Sequence, residues 1–214
     1  MKTLVINEIF HSIQGESTLA GRPCVFVRLT GCDLRCSWCD TEYAFYEGRK
    51  RPIEDVVAEI AKYECDLVEV TGGEPLLQPN VHELIAQLLE RGKTVMIETG
   101  GHRDATTLDP RVRRILDVKT PSSAECGKIH AASFESLREG DEIKFVISDR
   151  ADFDWSVRWI QEHRPAPVIP LLFSPVHGKL DPADLAQWIL ETGIGARLQL
   201  QLHKILWPGV LRGV

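Results

Sequence analysis

The sequence predicts an α/β protein whose mostly parallel sheet forms a partial, incomplete βα barrel. Two observations favour this class. Short runs rich in β-branched residues alternate with helical patterns along most of the chain. Successive strand candidates are spaced about 20 to 43 residues apart, which is typical of βα units in a parallel sheet. About six or seven such units are too few to close an eight-stranded barrel. No linker, repeat or low-complexity tract divides the chain, so one domain is expected over residues 1–214, with a short C-terminal extension.

Strands are predicted where β-branched and apolar residues cluster between turn residues. The candidates are Cys24–Leu29, Leu67–Thr71, Thr94–Thr99, Ile115–Lys119, Glu142–Ser148, Val168–Phe173 and Arg197–His203. Helices are predicted where apolar residues recur on one face. Those stripes are Ile53-Val56-Val57-Ile60, Leu84-Ile85-Leu88-Leu89 and Leu185-Trp188-Ile189-Thr192. Asp181 before Pro182 is typical of a helix start, and Gly92 and Gly193 are typical of helix ends.

Composition and charge exclude several classes of function. Hydrophobic residues make up 43% and charged residues 26% of the chain, as in ordinary soluble proteins. The net charge of −6 argues against a protein that binds nucleic acid through the phosphate backbone. Glu8 interrupts the segment where a signal peptide would be apolar, and no run approaches the ~18 apolar residues of a membrane span. We therefore expect a cytoplasmic protein that contacts neither nucleic acid nor membrane.

The most informative segment is a loop with three cysteines directly after the first strand candidate. Cys32, Cys36 and Cys39 follow the spacing Cys-x3-Cys-x2-Cys. Thiolates are the usual ligands of iron–sulfur clusters. Because a cubane has four irons, three thiolates leave one iron free to bind a small molecule, as the open position of a reactive metal site does. The loop therefore predicts a reactive cluster.

Two other interpretations of the cysteines stay open at this point. A disulfide framework needs a secreted context that the sequence does not suggest. A structural zinc requires four ligands, usually including a second pair of cysteines or a Cys/His pair. The remaining cysteines, Cys24, Cys65 and Cys126, stand alone in the sequence and are each expected to be small buried hydrophobic residues.

Polar and glycine-rich segments follow the next strand candidates. Because functional groups of βα folds lie at the carboxyl ends of the strands, these segments are expected on one rim with the thiol loop. They are Thr71-Gly72-Gly73-Glu74-Pro75, Glu98-Thr99-Gly100-Gly101 and Lys119-Thr120-Pro121-Ser122-Ser123. Paired glycines let the backbone approach a ligand closely. Each segment taken alone is equally compatible with a plain turn, and Glu98 and Lys119 with salt-bridge partners on the rim.

These motifs resemble those of the radical S-adenosylmethionine (SAM) superfamily. The similarity rests on Cys32-x3-Cys36-x-Trp38-Cys39, with an aromatic residue before the third cysteine, and on Gly72-Gly73-Glu74-Pro75. The resemblance implies a 4Fe–4S cluster whose open iron holds SAM, and one-electron cleavage of SAM to methionine and a 5′-deoxyadenosyl radical. It also implies the SAM-binding residues, which are Trp38, Asp40, Gly72, Gly73, Glu74, Glu98, Lys119 and Ser122.

Within the superfamily the chain is most similar to the 7-carboxy-7-deazaguanine synthases. The matching segments are His11-Ser12-Ile13-Gln14-Gly15-Glu16-Ser17, Gly21-Arg22-Pro23 with Arg28, Cys39-Asp40-Thr41, Thr71 and Gln201-Leu202-His203-Lys204. The resemblance implies radical ring contraction of 6-carboxy-5,6,7,8-tetrahydropterin with loss of ammonia, in 7-deazapurine (queuosine) biosynthesis. It implies substrate binding by Ile13, Gln14, Gly15, Glu16, Arg28, Thr71 and His203.

The chemistry of these side chains suits such a substrate. The amide of Gln14 and the carboxylate of Glu16 match a pterin edge that carries N–H donors beside a carbonyl. The guanidinium of Arg28 matches the substrate carboxylate. The family uses Mg²⁺ at that carboxylate, and Thr41 offers a hard oxygen ligand. Taken alone, Thr41 is equally suited to a helix N-cap, and His203 to a buried position on a final strand.

Alternatives and partners complete the predictions. One alternative is a glycyl-radical activase, which shares the cysteine spacing. The other is a zinc or iron–sulfur binding module that catalyses no reaction. The family resemblance implies a homodimer reduced by a flavodoxin or ferredoxin. The charged segment 42–51 is a candidate docking site for that reductant, with a solvated loop as the simpler expectation. The family's tail varies, so the role of Val214 stays open.

Overall fold

A computed structural model describes all 214 residues and contains one continuous nine-stranded sheet. Its strand order is β3-β1-β2-β4-β5-β6-β7-β8-β9. The strands are β1 Thr3–Ile13, β2 Pro23–Leu29, β3 Arg49–Pro52, β4 Leu67–Gly72, β5 Thr94–Thr99, β6 Arg113–Val118, β7 Glu142–Ile147, β8 Leu171–Pro175 and β9 Arg197–Leu198. The helices are α1 Ile53–Ile60, α2 Val81–Glu90, α3 Ala131–Glu135, α4 Arg150–His163, α5 Pro182–Thr192 and α6 Leu202–Leu206.

The sheet is parallel from β2 to β9 and does not close. Strands β2, β4, β5, β6, β7, β8 and β9 pair in parallel in that order, whereas β1 is antiparallel to both β2 and β3. Because β3 and β9 stay at opposite edges, the barrel is incomplete. The α/β class and the partial parallel barrel are confirmed. None of the helices is both long and apolar enough to serve as a bilayer span.

Most predicted strands are confirmed within one to three residues at each end. The prediction for Thr94–Thr99 matches β5 at both ends, and the strand predicted at Val168–Phe173 begins and ends later, as β8. The predicted strand Arg197–His203 is wrong beyond its first two residues. There the chain leaves the sheet and winds into α6, so His203 lies on a short helix and not on a strand.

Two strands at the antiparallel edge were not predicted. In β1 the pairing with β2 is irregular between Ile6 and Glu8, and this bulge interrupts the alternation of buried and exposed residues. Segment 42–51 is not a simple solvated loop, as was expected. Glu42–Phe45 forms a 3₁₀ turn and β3 extends the sheet beside β1.

The three predicted helices are confirmed as α1, α2 and α5. Asp181 caps α5 by accepting a hydrogen bond from Ala183 N–H (2.8 Å), and Gly193 ends that helix in the left-handed region at φ 58°. Helix α4 was missed although it is the longest. Its buried face includes Asp152 and Ser156, which break the apolar stripe.

The apolar core lies between the sheet and the helices that pack on it. Cys24 and Cys65 belong to this core, as predicted for isolated cysteines. The same prediction is wrong for Cys126, which is exposed on the loop after β6. With one side of the sheet filled by this core, the polar side chains of the strands collect on the other side, and that side forms the site.

Candidate active site

A cavity of about 350 Å³ opens at the carboxyl ends of the parallel strands, and this volume suits a small-molecule site. All but one of the predicted site residues line it: Ile13, Gln14, Gly15, Glu16, Arg28, Cys32, Cys36, Trp38, Cys39, Asp40, Thr41, Thr71, Gly72, Gly73, Glu74, Glu98, Lys119 and His203. Ser122 is the exception. Its hydroxyl donates to Asp149 (3.3 Å) and its backbone N–H to Asp152 (2.9 Å), so it fastens its loop to α4. Ser122 does not line this cavity, and its SAM contact stays a prediction.

The three cysteines of the loop are free, half-buried and on the wall of this cavity. Leu34 N–H donates to Cys32 Sγ (3.4 Å), the kind of hydrogen bond that tunes cluster thiolates. No three or more Cys, His, Asp or Glu side chains gather around one point as the ligands of a single ion do. A four-iron cluster binds each cysteine through a different iron, so its thiols lie farther apart. The side chains of the loop therefore do not form the four-ligand arrangement of a structural zinc ion.

Hydrogen bonds from neighbouring loops hold the cysteine loop in place. Ser37 donates from its backbone N–H to the Ser123 carbonyl (3.0 Å), which follows β6. Asp33 pairs with Nε2 of His102 (2.8 Å), which follows β5. Because two separate strand ends anchor the loop, its thiols are positioned before any ligand arrives.

The Gly72-Gly73-Glu74-Pro75 turn packs directly against the cysteine loop. A Cβ on Gly73 would collide with the Gly31 carbonyl and would lie 2.8 Å from the Cys32 Cβ, so only glycine fits there. Glu74 is fully buried, and both of its carboxylate oxygens accept a hydrogen bond from Thr99 Oγ1 (2.8 Å each). This carboxylate therefore holds the turn to β5 more than it reaches into the cavity.

A buried lysine joins two of the predicted carboxylates. Lys144 on β7 contacts Glu16 (3.0 Å) and donates a hydrogen bond to Glu98, which come from the loop after β1 and from β5. Burial alone would lower the pKa of Lys144, but the two carboxylates raise it well above its usual value. Burial works to raise the pKa of Glu16, yet Lys144 and the Gln201 amide (3.0 Å) outweigh it and the net shift is downward. Glu16 and Lys144 are therefore charged in this site.

A second ion pair lies beside the first on the same face of the sheet. Asp117 on β6 is in register with Lys144 and pairs with Lys119 (2.6 Å). Burial would lower the pKa of Lys119, but Asp117 and the neighbouring Cys36 thiol raise it. A permanent positive charge thus stands near the cysteine loop, where an anionic ligand group would be stabilised.

The amide of Gln14 is already used within the protein. Its Oε1 accepts the Glu16 N–H (2.8 Å), and its Nε2 donates to the carboxyl of Glu69 and contacts Met96 Sδ (3.4 Å). The amide of Gln14 therefore has little hydrogen-bonding capacity left for the predicted contact with a pterin edge. Glu69, which the sequence analysis did not select, presents the polar group instead.

Arg28 lies on the opposite wall of the cavity, and one of its three nitrogens is hydrogen-bonded to the protein. Its Nε donates to Glu8 (2.8 Å), and its guanidinium carbon lies 5.8 Å and 5.9 Å from the ring centroids of Phe10 and Tyr43. The two terminal nitrogens have no hydrogen bond to the protein. They form the fork with which an arginine binds a carboxylate.

The loop after the cysteines meets helix α6 at the mouth of the cavity. Asp40 pairs with Lys204 (3.0 Å), and a Cβ on Gly15 would lie 2.7 Å from His203 Nδ1. His203 is thus packed closely on the predicted substrate loop, and burial lowers the pKa of its imidazole. Thr41 occupies the N-cap position of a 3₁₀ turn, but its hydroxyl makes no capping hydrogen bond. That hydroxyl instead lies 3.7 Å from Cys39 Sγ, within hydrogen-bond distance of a sulfur, and Thr41 lines the cavity.

The C-terminal tail folds over the same opening. Tyr43 donates to the Leu211 carbonyl (3.3 Å) and Gly213 N–H donates to Glu8 (3.2 Å). Val214 is among the residues that line the cavity. The tail thereby narrows the access of solvent to the site.

Sequence reasoning missed Lys144, Glu69 and Asp117. Each is a charged residue between apolar neighbours inside a predicted strand, as in Val68-Glu69-Val70 and Ile143-Lys144-Phe145. A buried charge is costly unless paired, so charges at such positions are themselves a signal of a polar site. That signal was available in the sequence.

Comparisons with known proteins agree with this geometry. A profile of the radical SAM superfamily matches residues 26–161. The 7-carboxy-7-deazaguanine synthases of Koribacter versatilis and Chlorobaculum tepidum are each 43% identical to this chain. The alignments cover 98% of this chain and 99% of the first relative, and 99% of this chain and 97% of the second.

Solved structures share the fold. QueE from Escherichia coli superposes with a TM-score of 0.78 at 23% identity, covering 93% of this chain and 94% of its own. Streptococcus suis SuiB bound to S-adenosylmethionine gives 0.56 at 18% identity, covering 80% of this chain and 48% of its own.

The open βα sheet and the three-cysteine loop at its rim define a radical SAM protein, as the superfamily match indicates. At 43% identity over nearly the whole length of two relatives, the chain belongs to the 7-carboxy-7-deazaguanine synthase family.

Proposed function

We propose that this protein contracts the ring of 6-carboxy-5,6,7,8-tetrahydropterin to give 7-carboxy-7-deazaguanine and ammonia, as a radical SAM lyase of 7-deazapurine (queuosine) biosynthesis. One observation carries the proposal. In a chain whose relatives are 7-carboxy-7-deazaguanine synthases, a single cavity combines the cysteine loop with Arg28 and with the Glu16–Lys144–Glu98 network. No comparable feature favours a glycyl-radical activase or a binding module without chemistry.

Cys32, Cys36 and Cys39 would hold a 4Fe–4S cluster, and the free, half-buried thiols and the glycine contact at Gly73 support this assignment. When bound and reduced by one electron, the cluster with SAM supplies a 5′-deoxyadenosyl radical that takes a hydrogen atom from the substrate. The loop's own contribution is to keep the thiols in place and the site closed to bulk water.

The SAM side of the cavity would be formed by backbone and charged groups. Gly72 and Gly73 would let backbone atoms approach the methionine moiety of SAM. The charge of Lys119 would stabilise its carboxylate. The other SAM-binding residues of the proposal are Trp38, Asp40, Glu74 and Glu98, of which Glu74 acts by holding the turn.

The substrate side would position the target C–H bond. The terminal nitrogens of Arg28 would bind the substrate carboxylate, and the charged Glu16 would accept from the pterin N–H groups. His203 would close the site from α6. The remaining members of the proposed substrate site are Ile13, Gln14, Gly15 and Thr71. Positioning of this kind is the main contribution that such residues make to the rate.

Mg²⁺ is proposed at Thr41. Its hydroxyl lines the cavity without a capping role, and a hard oxygen beside a substrate carboxylate suits this ion, which takes much of its coordination from waters and ligand oxygens. Thr41 alone would not hold the ion, so binding would depend on the substrate.

Partners and organisation belong to the same proposal. We propose a cytoplasmic homodimer, one domain over residues 1–214, reduced by a flavodoxin or ferredoxin. The continuous sheet supports the single domain. The homodimer rests on the resemblance to the family. Tyr46 is exposed beside Arg35 near the cysteine loop, which supports docking of the reductant on segment 42–51.

The test is anaerobic reconstitution with iron and sulfide, followed by incubation with SAM, reductant, Mg²⁺ and the tetrahydropterin. Mass spectrometry is expected to find 7-carboxy-7-deazaguanine, and the Cys36→Ala variant, which lacks one ligand, is expected to give none. A brown protein that cleaves SAM and leaves the tetrahydropterin intact would contradict the proposed substrate. A colourless protein that binds zinc and leaves SAM whole would overturn the class.

A further inference from the structure

Glu69 differs from every other carboxyl group on the wall of the cavity. Glu16 and Glu98 share Lys144, Asp117 pairs with Lys119, and Asp40 pairs with Lys204. Glu74 accepts hydrogen bonds from Thr99, Gly100 and Leu76. Glu69 is only 3% exposed and has no lysine, arginine or histidine within ion-pair distance. An ionised carboxylate in that environment would be strongly destabilised.

The charges that face Glu69 increase this cost. These charges are Glu16, from the loop after β1, and Glu98, from β5. The Cys24 thiol of β2 is also nearby, but burial raises its pKa and it stays neutral. The nearest cation is Lys144 on β7, which is already shared by two carboxylates. Three carboxylates around one ammonium would carry a net charge of −2 in a buried site, so a proton on one of them reduces the imbalance.

The hydrogen bond from Gln14 indicates where that proton lies. The Gln14 amide is oriented by the Glu16 N–H, which donates to its Oε1, so its Nε2 must donate to Glu69 Oε2. Either protonation state can accept this bond, but in a neutral carboxyl group the accepting oxygen is the carbonyl oxygen. The hydroxyl is then on Oε1, which has no hydrogen-bond partner in the protein, and Glu69 lines the cavity.

We propose that Glu69 is a neutral carboxylic acid in this site and that its Oε1 hydroxyl donates a hydrogen bond to an acceptor atom of the bound heterocycle. Glu69 would thereby determine specificity for bicycles that present a ring nitrogen or carbonyl acceptor at that wall. This inference rests on the proposed function, because it takes the tetrahydropterin as the ligand.

Electrostatics support the protonation state that the buried, unpaired environment of Glu69 favours. Burial and the nearby charge of Glu98 raise the pKa of Glu69 to about 8, although the Gln14 hydrogen bond opposes the shift. The neutral form therefore predominates near neutral pH and is lost as the pH rises through about 8. Substrate affinity should follow the same curve if the hydroxyl is the donor.

The first measurement is equilibrium binding of the tetrahydropterin to the cluster-loaded protein with SAM and no reductant, from about pH 7 to about pH 9. Wild-type affinity is expected to fall about tenfold over that range, because the protonated fraction falls about tenfold around a pKa near 8. Glu69→Gln keeps a cavity-facing N–H donor that does not titrate, so its affinity should be independent of pH relative to wild type. Any titration of the substrate itself affects wild type and Glu69→Gln equally, so it cancels in the ratio of their affinities.

Two further variants separate a local role from a folding defect. Glu69→Leu removes the donor and is expected to lower affinity about tenfold at all pH values. Glu142→Gln alters another buried carboxyl, which accepts hydrogen bonds from Thr18 in the loop after β1 and does not line the cavity. This variant is expected to bind as wild type does. Thermal melting of all three variants checks that they fold.

Infrared difference spectroscopy tests the proton directly. The wild-type minus Glu69→Gln spectrum near neutral pH is expected to contain the carbonyl band of a neutral carboxylic acid. A carboxylate band in its place, or a Glu69→Gln variant with the wild-type pH profile, would overturn the inference while leaving the proposed function intact. If no protein binds the tetrahydropterin at any pH, the proposed function and the donor role both fail, and the infrared band still decides the protonation state.

Discussion

Replacing Lys144 by methionine tests whether the buried network stabilises the fold as the structure indicates. Lys144 is 5% exposed and contacts carboxylates from two distant parts of the chain, Glu16 and Glu98. Removing one partner of a buried ion pair leaves charges without compensation and costs about 3–5 kcal/mol. In a chain of this length each kcal/mol lowers the melting temperature by about 2–4 °C, so a decrease of about 6–20 °C is expected.

The pH dependence of the lost stability in Lys144→Met identifies the cause of that loss. Without the ammonium, both carboxylates have raised pKa values in the folded protein, and the stability of the variant is lost as the pH rises through those values. The deficit relative to wild type should therefore be largest near pH 8 and should shrink as the pH falls towards about 5. Methionine keeps most of the side-chain volume, so a packing defect would instead be the same at all pH values.

The assay is thermal denaturation of anaerobic preparations with equal iron content, with Lys2→Met as the matched control. Lys2 forms an exposed ion pair with Glu83 (3.0 Å), and loss of such a pair is worth about 0–1 kcal/mol. If Lys144→Met melted within the range of the control, or if its deficit did not change with pH, the account of the network would be wrong.

Three further substitutions address single parts of the site. Arg28→Ala should raise the KM for the tetrahydropterin by about tenfold or more and leave substrate-free SAM cleavage unchanged; equal loss of both activities would indicate misfolding instead. Thr41→Ala should weaken Mg²⁺-dependent turnover with the iron and sulfide content unchanged, and normal turnover across Mg²⁺ concentrations would contradict the metal assignment. Gly73→Ala should lower iron retention, because its Cβ collides with the Gly31 carbonyl beside Cys32; full cluster loading with the wild-type electron paramagnetic resonance signal would show that the contact is not needed.

The local features of the site could be predicted from the sequence because each of them is determined by a few adjacent residues. The spacing of Cys32, Cys36 and Cys39 and the glycine turn at Gly73 are of this kind, and the amphipathic stripe of α1 is equally local. The structure places these motifs on one rim, as the rule for parallel strands predicts.

The network around Lys144 could not be derived in the same way. Its partners Glu16 and Glu98 are 128 and 46 residues away, and only the folded sheet brings them together. The same limit explains His203, whose position depends on close packing against Gly15 and not on strand propensity. Helix α4 was hidden because Asp152 is a polar residue on its buried face. It accepts hydrogen bonds from the N–H of Ser122, 30 residues away, and from that of Ser148 just before the helix.

The most direct test of the central claim follows a single hydrogen atom. The reconstituted protein would be incubated with SAM, reductant and a tetrahydropterin that carries deuterium on the carbon bearing the carboxylate. If Arg28 and its neighbours hold that C–H bond towards the radical, deuterium will appear in 5′-deoxyadenosine as 7-carboxy-7-deazaguanine forms. Product without label in 5′-deoxyadenosine would contradict the positioning, and SAM cleavage without product would contradict the function.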